Sequence, residues 1–443
     1  MFEFVSSGPP PPVIFLVQSK ARVNPSQLSG LVWLKRRLGL HEEAERKYWG
    51  LLLPLFLLTL FSWIDHMITV PLSAEISAAT GLSPVRSGLL VSVYPAAAAV
   101  SAFIFAPWSD RLGRKQLLLY LGSGFVISTF GCALAQGVES FFLFRVLSGA
   151  FAGPIMPNCL AYAGDALQGN RRNRALTNIM LGFTLASILG VPVGAALAEW
   201  VSWRWTFGVI GLGGLLSLLW LTSIPSITTG AEQITIRRQY LQMFGLWKRQ
   251  EVRWVFAMQF FMLIGLFGFI PHMSIWLTTN YGLSASAIGL FYMQGGIGSL
   301  IGNQLAGWLL QRGLRFSLIG IGSVLMGTVL MLSTQDLLPG PWMGAMFFGI
   351  MLGGSMRMPG LQTILIELTG KEIRGRLMAM SMIVSNMTMG LGGFWSTGLL
   401  SMENGYLLGM DRVGLVSMLT LLVVLPLIWL IQRQQRSTPQ PTI

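Results

Sequence analysis

Asp65 and His66 sit side by side inside a long apolar run, and Arg145, His272 and Arg357 each interrupt another. A carboxylate surrounded by hydrocarbon is expensive when ionised, so Asp65 must either be paired or take up a proton. Such a group can carry a proton as its surroundings alternate between two sides. The competing expectation is a structural acid held by Arg145 or by its neighbour His66. Arg145, about one turn into its run, is expected to face a cavity, a partner or backbone carbonyls rather than lipid. His272 either joins that cavity or caps backbone groups. Arg357 either selects an anionic substrate or neutralises Glu367, and the position of Glu367 ten residues further along favours the substrate. No catalytic constellation accompanies these groups: there is no zinc spacing, no phosphate-cradling glycine loop with lysine and no nucleophile elbow. With 3 histidines and 2 cysteines in 443 residues, and with Cys132 and Cys159 both in apolar runs, neither a disulfide framework, a metal nor a cofactor is expected.

The segments that must position these residues are apolar and regular. The chain is 53% apolar and 11% charged, where a soluble domain carries about 25% charge. Runs long enough to cross about 30 Å of hydrocarbon as a helix recur throughout. They predict an all-α integral membrane protein with twelve transmembrane helices, near 49–70, 87–108, 115–135, 140–162, 176–198, 204–224, 254–278, 286–309, 316–334, 341–366, 376–400 and 411–431. The net charge of +13 follows from topology. Of the 30 lysines and arginines, 25 fall in the loops and tails of one side, while the opposite loops hold Arg86, Arg204 and Arg412. The positive-inside rule then places both termini in the cytoplasm of a bacterial inner membrane. A nucleic-acid partner is not expected, because no basic run interleaved with aromatics stands on an independent domain.

Residues 1–48 do not resemble a cleaved signal: the first basic residue is Lys20, and Val13 to Val17 is too short for its apolar part. Pro9 to Pro12 should be extended, and Leu28 to Arg37 is either a short basic amphipathic helix on the inner leaflet or a plain disordered tail. From there the chain repeats itself. Gly81-Leu82-Ser83 with Gly88-Leu89 recurs 201 residues later as Gly282-Leu283-Ser284 with Gly289-Leu290, and the same step carries Asp110-Arg111 onto Gln311-Arg312. A step of 202 carries Pro157, Asp165, Arg172 and Arg174 onto Pro359, Glu367, Arg374 and Arg376, and one of 206 carries His66-Met67 onto His272-Met273. The expected organisation is a tail (1–48), a six-helix bundle (49–224), a central loop (225–253), a second bundle (254–431) and a short tail (432–443). An even number of spans per half makes the repeat parallel, with a substrate site near the midplane between the halves.

Further motifs sharpen this. Between the second and third runs stands Ser109-Asp110-Arg111-Leu112-Gly113-Arg114-Lys115. Here Asp110 can complement a neighbouring helix N-terminus, Arg111 and Arg114 can pair with carboxylates or lipid phosphates, and Gly113 permits a tight turn. The second half keeps only Gly307, Arg312 and Gly313, with Gln311 in place of the acid. Arg145 is followed by Ser148-Gly149 and Gly153, and a later run carries Gly190, Pro192 and Gly194 ahead of Trp203-Arg204-Trp205 and Phe207. On these residues the chain resembles the major facilitator superfamily over 49–431, and in its helix-five motif, Asp65 with Pro71, and helix-six start it resembles the drug:proton antiporter branch. It departs from the family where Ala106 and Trp108 stand for Gly and Leu, and where Val191 separates Gly190 from Pro192. The resemblance implies transport by alternating access, with Asp110, Arg111, Gly113, Arg114 and Lys115 as a cytoplasmic gate. It further implies proton coupling at Asp65, with His66 beside it, and export of a small amphiphilic or aromatic compound by a monomer; the cavity is expected to be lined by Arg145 and, on the reading of those residues themselves, by His272 and Arg357. Uptake of a polar or anionic metabolite is the alternative within the fold. A transporter-like receptor or scaffold is the alternative outside it, and would be expected to lack Asp65 and Arg145.

Overall fold

Long apolar runs leave the backbone no partner but itself, and the chain folds accordingly as helices. The computed structural model describes residues 30–105, 112–227, 236–335, 342–367 and 374–437. Met1–Trp49 and Gly50–Ile443 form two units, and α1 (Gly30–Thr80) belongs to the second from Gly50 onward. The first half of that unit continues with α2 (Ser87–Phe105), α3 (Arg114–Leu134), α4 (Val138–Ala152), α5 (Ile155–Ala166), α6 (Gly169–Leu185), α7 (Val191–Trp200) and α8 (Trp203–Leu221). A connecting helix α9 (Ile236–Gly245) leads to α10 (Gln250–Tyr281), α11 (Ala285–Gln311), α12 (Arg315–Ser333), α13 (Met343–Glu367), α14 (Arg374–Thr397), α15 (Met410–Leu422) and α16 (Val424–Ser437).

Ten helical segments among the described residues are long and apolar enough to cross a membrane, where the sequence predicts twelve. The two that fall short, α11 and α13, have 27 and 25 residues, ample length to cross. Glycine and polar residues such as Gln294, Asn303, Gln304 and Arg357 dilute them. The glycines have a packing reason: a Cβ at Gly295 would stand 2.7 Å from Phe347 Cδ1, and one at Gly298 would stand 2.5 Å from the Phe348 carbonyl oxygen. Close approach of backbones is how helices associate where lipid gives no hydrophobic drive.

The other departures are local. The run at 140–162 breaks at Gly153-Pro154 into α4 and α5, as proline cannot continue the ladder of a preceding turn. A π-helical turn, Ala186–Gly190, joins α6 to α7, and the last run breaks at Val423 between α15 and α16. The central loop carries α9 and a 3-10 turn, Leu246–Lys248.

Between α14 and α15 the chain forms an antiparallel hairpin, β1 (Ser401–Glu403) and β2 (Tyr406–Leu408), with Ser401 opposite Leu408. Its turn is Asn404-Gly405, both at positive φ (51° and 85°), as a tight two-residue hairpin turn requires. Asn280 at the end of α10 holds β2 by donating to the Leu407 carbonyl at 3.0 Å and accepting from the Leu407 N–H at 2.9 Å. Asn280→Ala removes both bonds, at about 1 kcal/mol each. A cysteine at position 407, where the native side chain is 1% exposed, should then react readily with a maleimide; unchanged reactivity would show that the turn alone holds the hairpin.

Alternation of the helices defines two ends of the bundle, one bearing α9 and one, the far face, bearing the hairpin. The halves meet toward the far face. A Cβ at Gly390 of α14 would stand 2.7 Å from Ala96 Cβ of α2, and Ser92 Oγ of α2 accepts from the Gly393 N–H at 3.1 Å. Ser274 of α10 donates to the Pro71 carbonyl at 2.9 Å, and Ser187 donates to the Tyr292 carbonyl at 3.0 Å. At the rim, Glu199 of α7 accepts from the Ser286 N–H in the first turn of α11 at 3.2 Å, placing a negative charge at a helix N-terminus.

Candidate functional site

Asp65 and Arg145 form an ion pair in which both side chains are fully buried. Arg145 Nη1 donates to Asp65 Oδ2 at 3.0 Å, and Nη2 donates to the Asp65 carbonyl at 3.3 Å. Ser148, one turn further along α4, donates to the same Oδ2 at 2.7 Å. The guanidinium also lies over the Tyr94 ring at 4.5 Å, and over the Phe207 ring at 5.8 Å. Tyr94 in turn donates to the Ser62 carbonyl of α1 at 3.2 Å. Hence four helices, α1, α2, α4 and α8, close around one carboxylate. Asp65 Oδ1 and Arg145 Nε are buried with no hydrogen-bond partner among the described residues.

The local sequence explains how a pair so costly to bury is held. A Cβ at Gly149 would overlap the Tyr94 carbonyl oxygen, and one at Gly153 would stand 2.6 Å from Ala98 Cβ, so α4 rides directly on the backbone of α2. On the other side of α1, Gly190 and Gly194 lie against Ile64 and Ile68, which bracket Asp65 in sequence, while Pro192 packs under Gly289 of α11. The helix-five motif thus touches both the acid-bearing helix and the opposite half. His66 packs tilted against Tyr94 with ring centroids 4.9 Å apart and meets Trp63 edge-on at 5.7 Å.

The other two expected cavity residues lie elsewhere. His272 is buried in the seam between the halves, its ring against Gly88 of α2 and its Nε2 3.4 Å from the Gly393 carbonyl oxygen and from Thr397 Oγ1. Arg357 is fully buried against α12, where Nη2 donates to Met326 Sδ at 2.9 Å. It does not neutralise Glu367, which pairs instead with Arg315 at 3.1 Å. That pair reveals more of the repeat: Arg114 pairs with Asp165 at 3.2 Å, and steps of 201 and 202 carry these two onto Arg315 and Glu367.

Of the expected gate, Asp110 and Arg111 lie outside the described residues. Gly113 takes the turn at φ 78°, and Arg114 ties α3 to α5. Lys115 donates to the Thr222 and Ile224 carbonyls at 2.7 and 2.6 Å, beyond the end of α8. Each of these contacts lies within the first half. Sequence reasoning quoted Ser148 only as part of a motif, although its spacing of three from Arg145 puts both on one helix face. Tyr94 it passed over, with no signal beyond an aromatic residue in an apolar run.

Comparison with known proteins agrees with this architecture. The family model described as Major Facilitator Superfamily matches residues 55–396. A gallate transporter of Pseudomonas putida is 32% identical over 170 residues, 38% of this chain and 37% of that protein. A chloramphenicol resistance protein of Pseudomonas aeruginosa is 32% identical over 127 residues, 28% of this chain and 30% of that protein. The structure of a bacterial homolog to the human lysosomal transporter Spinster, in an inward-facing and unoccupied conformation, superposes with a TM-score of 0.71 at 18% identity, covering 89% of this chain and 99% of that one.

Proposed function

Since the chain belongs to the major facilitator superfamily, and is accordingly an integral membrane transporter of small molecules rather than an enzyme, we propose that it is a proton-coupled antiporter exporting a small amphiphilic or aromatic compound. The buried Asp65–Arg145–Ser148 constellation carries this reading. A guanidinium that leaves a buried carboxylate strands a charge in a medium that cannot solvate it, so the carboxylate must take up a proton as the pair parts and release it as the pair re-forms. Helices α1 and α4, both of the first half, bear the two partners, so a shift of α4 against α1 within that half is the movement that would part them. Export is supported by the helix-five motif and by the chloramphenicol resistance protein. The aromatic character of the substrate is supported by both relatives, each of which bears the name of an aromatic compound or of resistance to one.

The charge distribution orients the transporter with the α9 face and both termini in the cytoplasm of a bacterial inner membrane. The seam toward the far face then corresponds to a protein closed outward, and Asp110 with Arg111 forms the gate that closes the other side. A second reading, movement of an anionic metabolite, rests on Arg357: its Nε and Nη1 are buried with no hydrogen-bond partner among the described residues.

Vesicles containing the protein, loaded to an imposed pH gradient, separate these readings. Chloramphenicol added outside should dissipate the gradient at a rate that saturates with concentration. Dissipation by gallate alone, abolished in Arg357→Gln, would favour the anion reading, and none with either would count against proton coupling.

A further inference from the structure

The helix α9 is built in three faces, and one of them stays largely exposed among the described residues, touching the rest where Phe244 meets Phe103 edge-on at 5.8 Å and Trp247 meets Phe256 at 5.5 Å. Met243, and Leu246 just beyond it, are each 4% exposed and pack into the core of the second half with Val252, Phe256 and Leu377. Tyr240 reaches the other half, donating to the Ile104 and Phe103 carbonyls at 3.2 and 3.4 Å, with its ring 5.0 Å from that of Phe103. Those carbonyls lie in the last turn of α2, which ends at Phe105, a few residues before Ser109–Lys115 in sequence. They are among the last oxygens of a helix, which have no acceptor role inside it.

The third face presents Leu241, Phe244 and Trp247 at 60%, 56% and 41% exposure. Exposed Arg237, Arg238, Lys248, Arg249 and Arg253 surround them, with Glu251 the one acid from 237 to 253. Apolar side chains flanked by cations on a helix that lies at the end of a membrane bundle match the boundary between acyl chains and anionic headgroups. A soluble acidic protein would satisfy the cations but leave the three large apolar groups facing polar surface.

We propose that α9 and the turn after it bind anionic phospholipid, and that through Tyr240 this contact holds the end of α2 on which the gate sequence begins. Apolar groups insert, cations bind headgroup phosphates, and the helix so fixed keeps the Tyr240 hydroxyl on the two carbonyls.

The test uses the full chain in lipid nanodiscs. Leu241→Cys is labelled with a polarity-sensitive fluorophore; Cys132 and Cys159 are buried and stay unlabelled. With phosphatidylglycerol at about a third of the lipid, an anionic content at which each nearby cation contributes measurably, the probe should report an apolar setting and resist an aqueous quencher. With phosphatidylcholine alone, or in R237Q/R238Q, the quencher should reach it several-fold faster. Hydrogen exchange of residues 100–105 should slow severalfold with phosphatidylglycerol. In Tyr240→Phe that slowing should vanish while the probe remains shielded, which a merely structural helix would not do. Equal shielding in both lipids would overturn anionic recognition, and unchanged exchange would overturn the link to α2. Shielding that depends on protein concentration in detergent would assign the face to a second copy and overturn the lipid reading.

Discussion

Asp65→Asn abolishes substrate-dependent dissipation of a pH gradient and destabilises the protein, and adding Arg145→Met restores the stability without restoring transport. The first part follows from chemistry, because an amide cannot exchange a proton with its surroundings. The second follows from burial. Both side chains of the pair are fully buried, and removing one partner leaves the other as an uncompensated charge, which costs about 3–5 kcal/mol. Replacing the stranded guanidinium by an apolar group of similar size removes that uncompensated charge and its penalty. Thermal unfolding in detergent reads the stability, and the vesicle assay reads the coupling. Gradient-driven transport that survives in Asp65→Asn would end the proton role for this residue. A double variant no more stable than the single would mean that Ser148 and Tyr94 compensate the lone guanidinium.

The second large effect is expected at Gly393, where a side chain and backbone of α2 both stand in the way. Atoms added there would overlap Ser92 Oγ and stand 2.9 Å from the Gly88 carbonyl oxygen. Gly393→Val should therefore hold the far-face seam apart while leaving each half folded. Overpacking costs about 1–3 kcal/mol, and each 1.4 kcal/mol shifts a two-state population about tenfold. Ser274→Cys, at the buried contact with Pro71, gives the readout. Its labelling from the far-face side by an impermeant maleimide should rise by about fivefold to a hundredfold on that arithmetic, while gel filtration stays unchanged. Labelling at the native rate would show that the seam yields by small shifts and is not a gate.

How far these features could be read in advance depends on what kind of signal each leaves. Asp65 and Arg145 were legible as a pair, because two opposite charges in hydrocarbon each demand a partner. Arg357 was legible as a buried cation, but its neighbour Met326 was not, since a thioether in an apolar run carries no mark. The glycines of the seam could not be assigned partners: a small-residue stripe looks the same whether it faces its own half or the other. The spans α11 and α13 were legible by repeat and length, and the same glycines that pack them lowered their hydropathy. The hairpin was readable and overlooked, for Asn404-Gly405 between Met402 and Leu407 is a turn signal of the strongest short-range kind. Arg114 was expected at the gate on its resemblance, whereas its pairing with Asp165 could have been read from the repeat, which carries both residues onto Arg315 and Glu367.

The π-helical turn Ala186–Gly190 has a consequence for phase. Gly182 faces Thr59 and Leu60 of α1, and Gly190, eight residues on, faces Ile64 of the same helix. At about 100° per residue an ordinary helix would leave those two positions about 80° apart. The wide turn takes up that difference, so two segments in different registers, α6 and α7, address one neighbour. In alignment terms it is a one-residue insertion: against a relative with a straight fifth helix, the gap belongs between Ala186 and Gly190, and everything from Val191 to Glu199 reads correctly only after it.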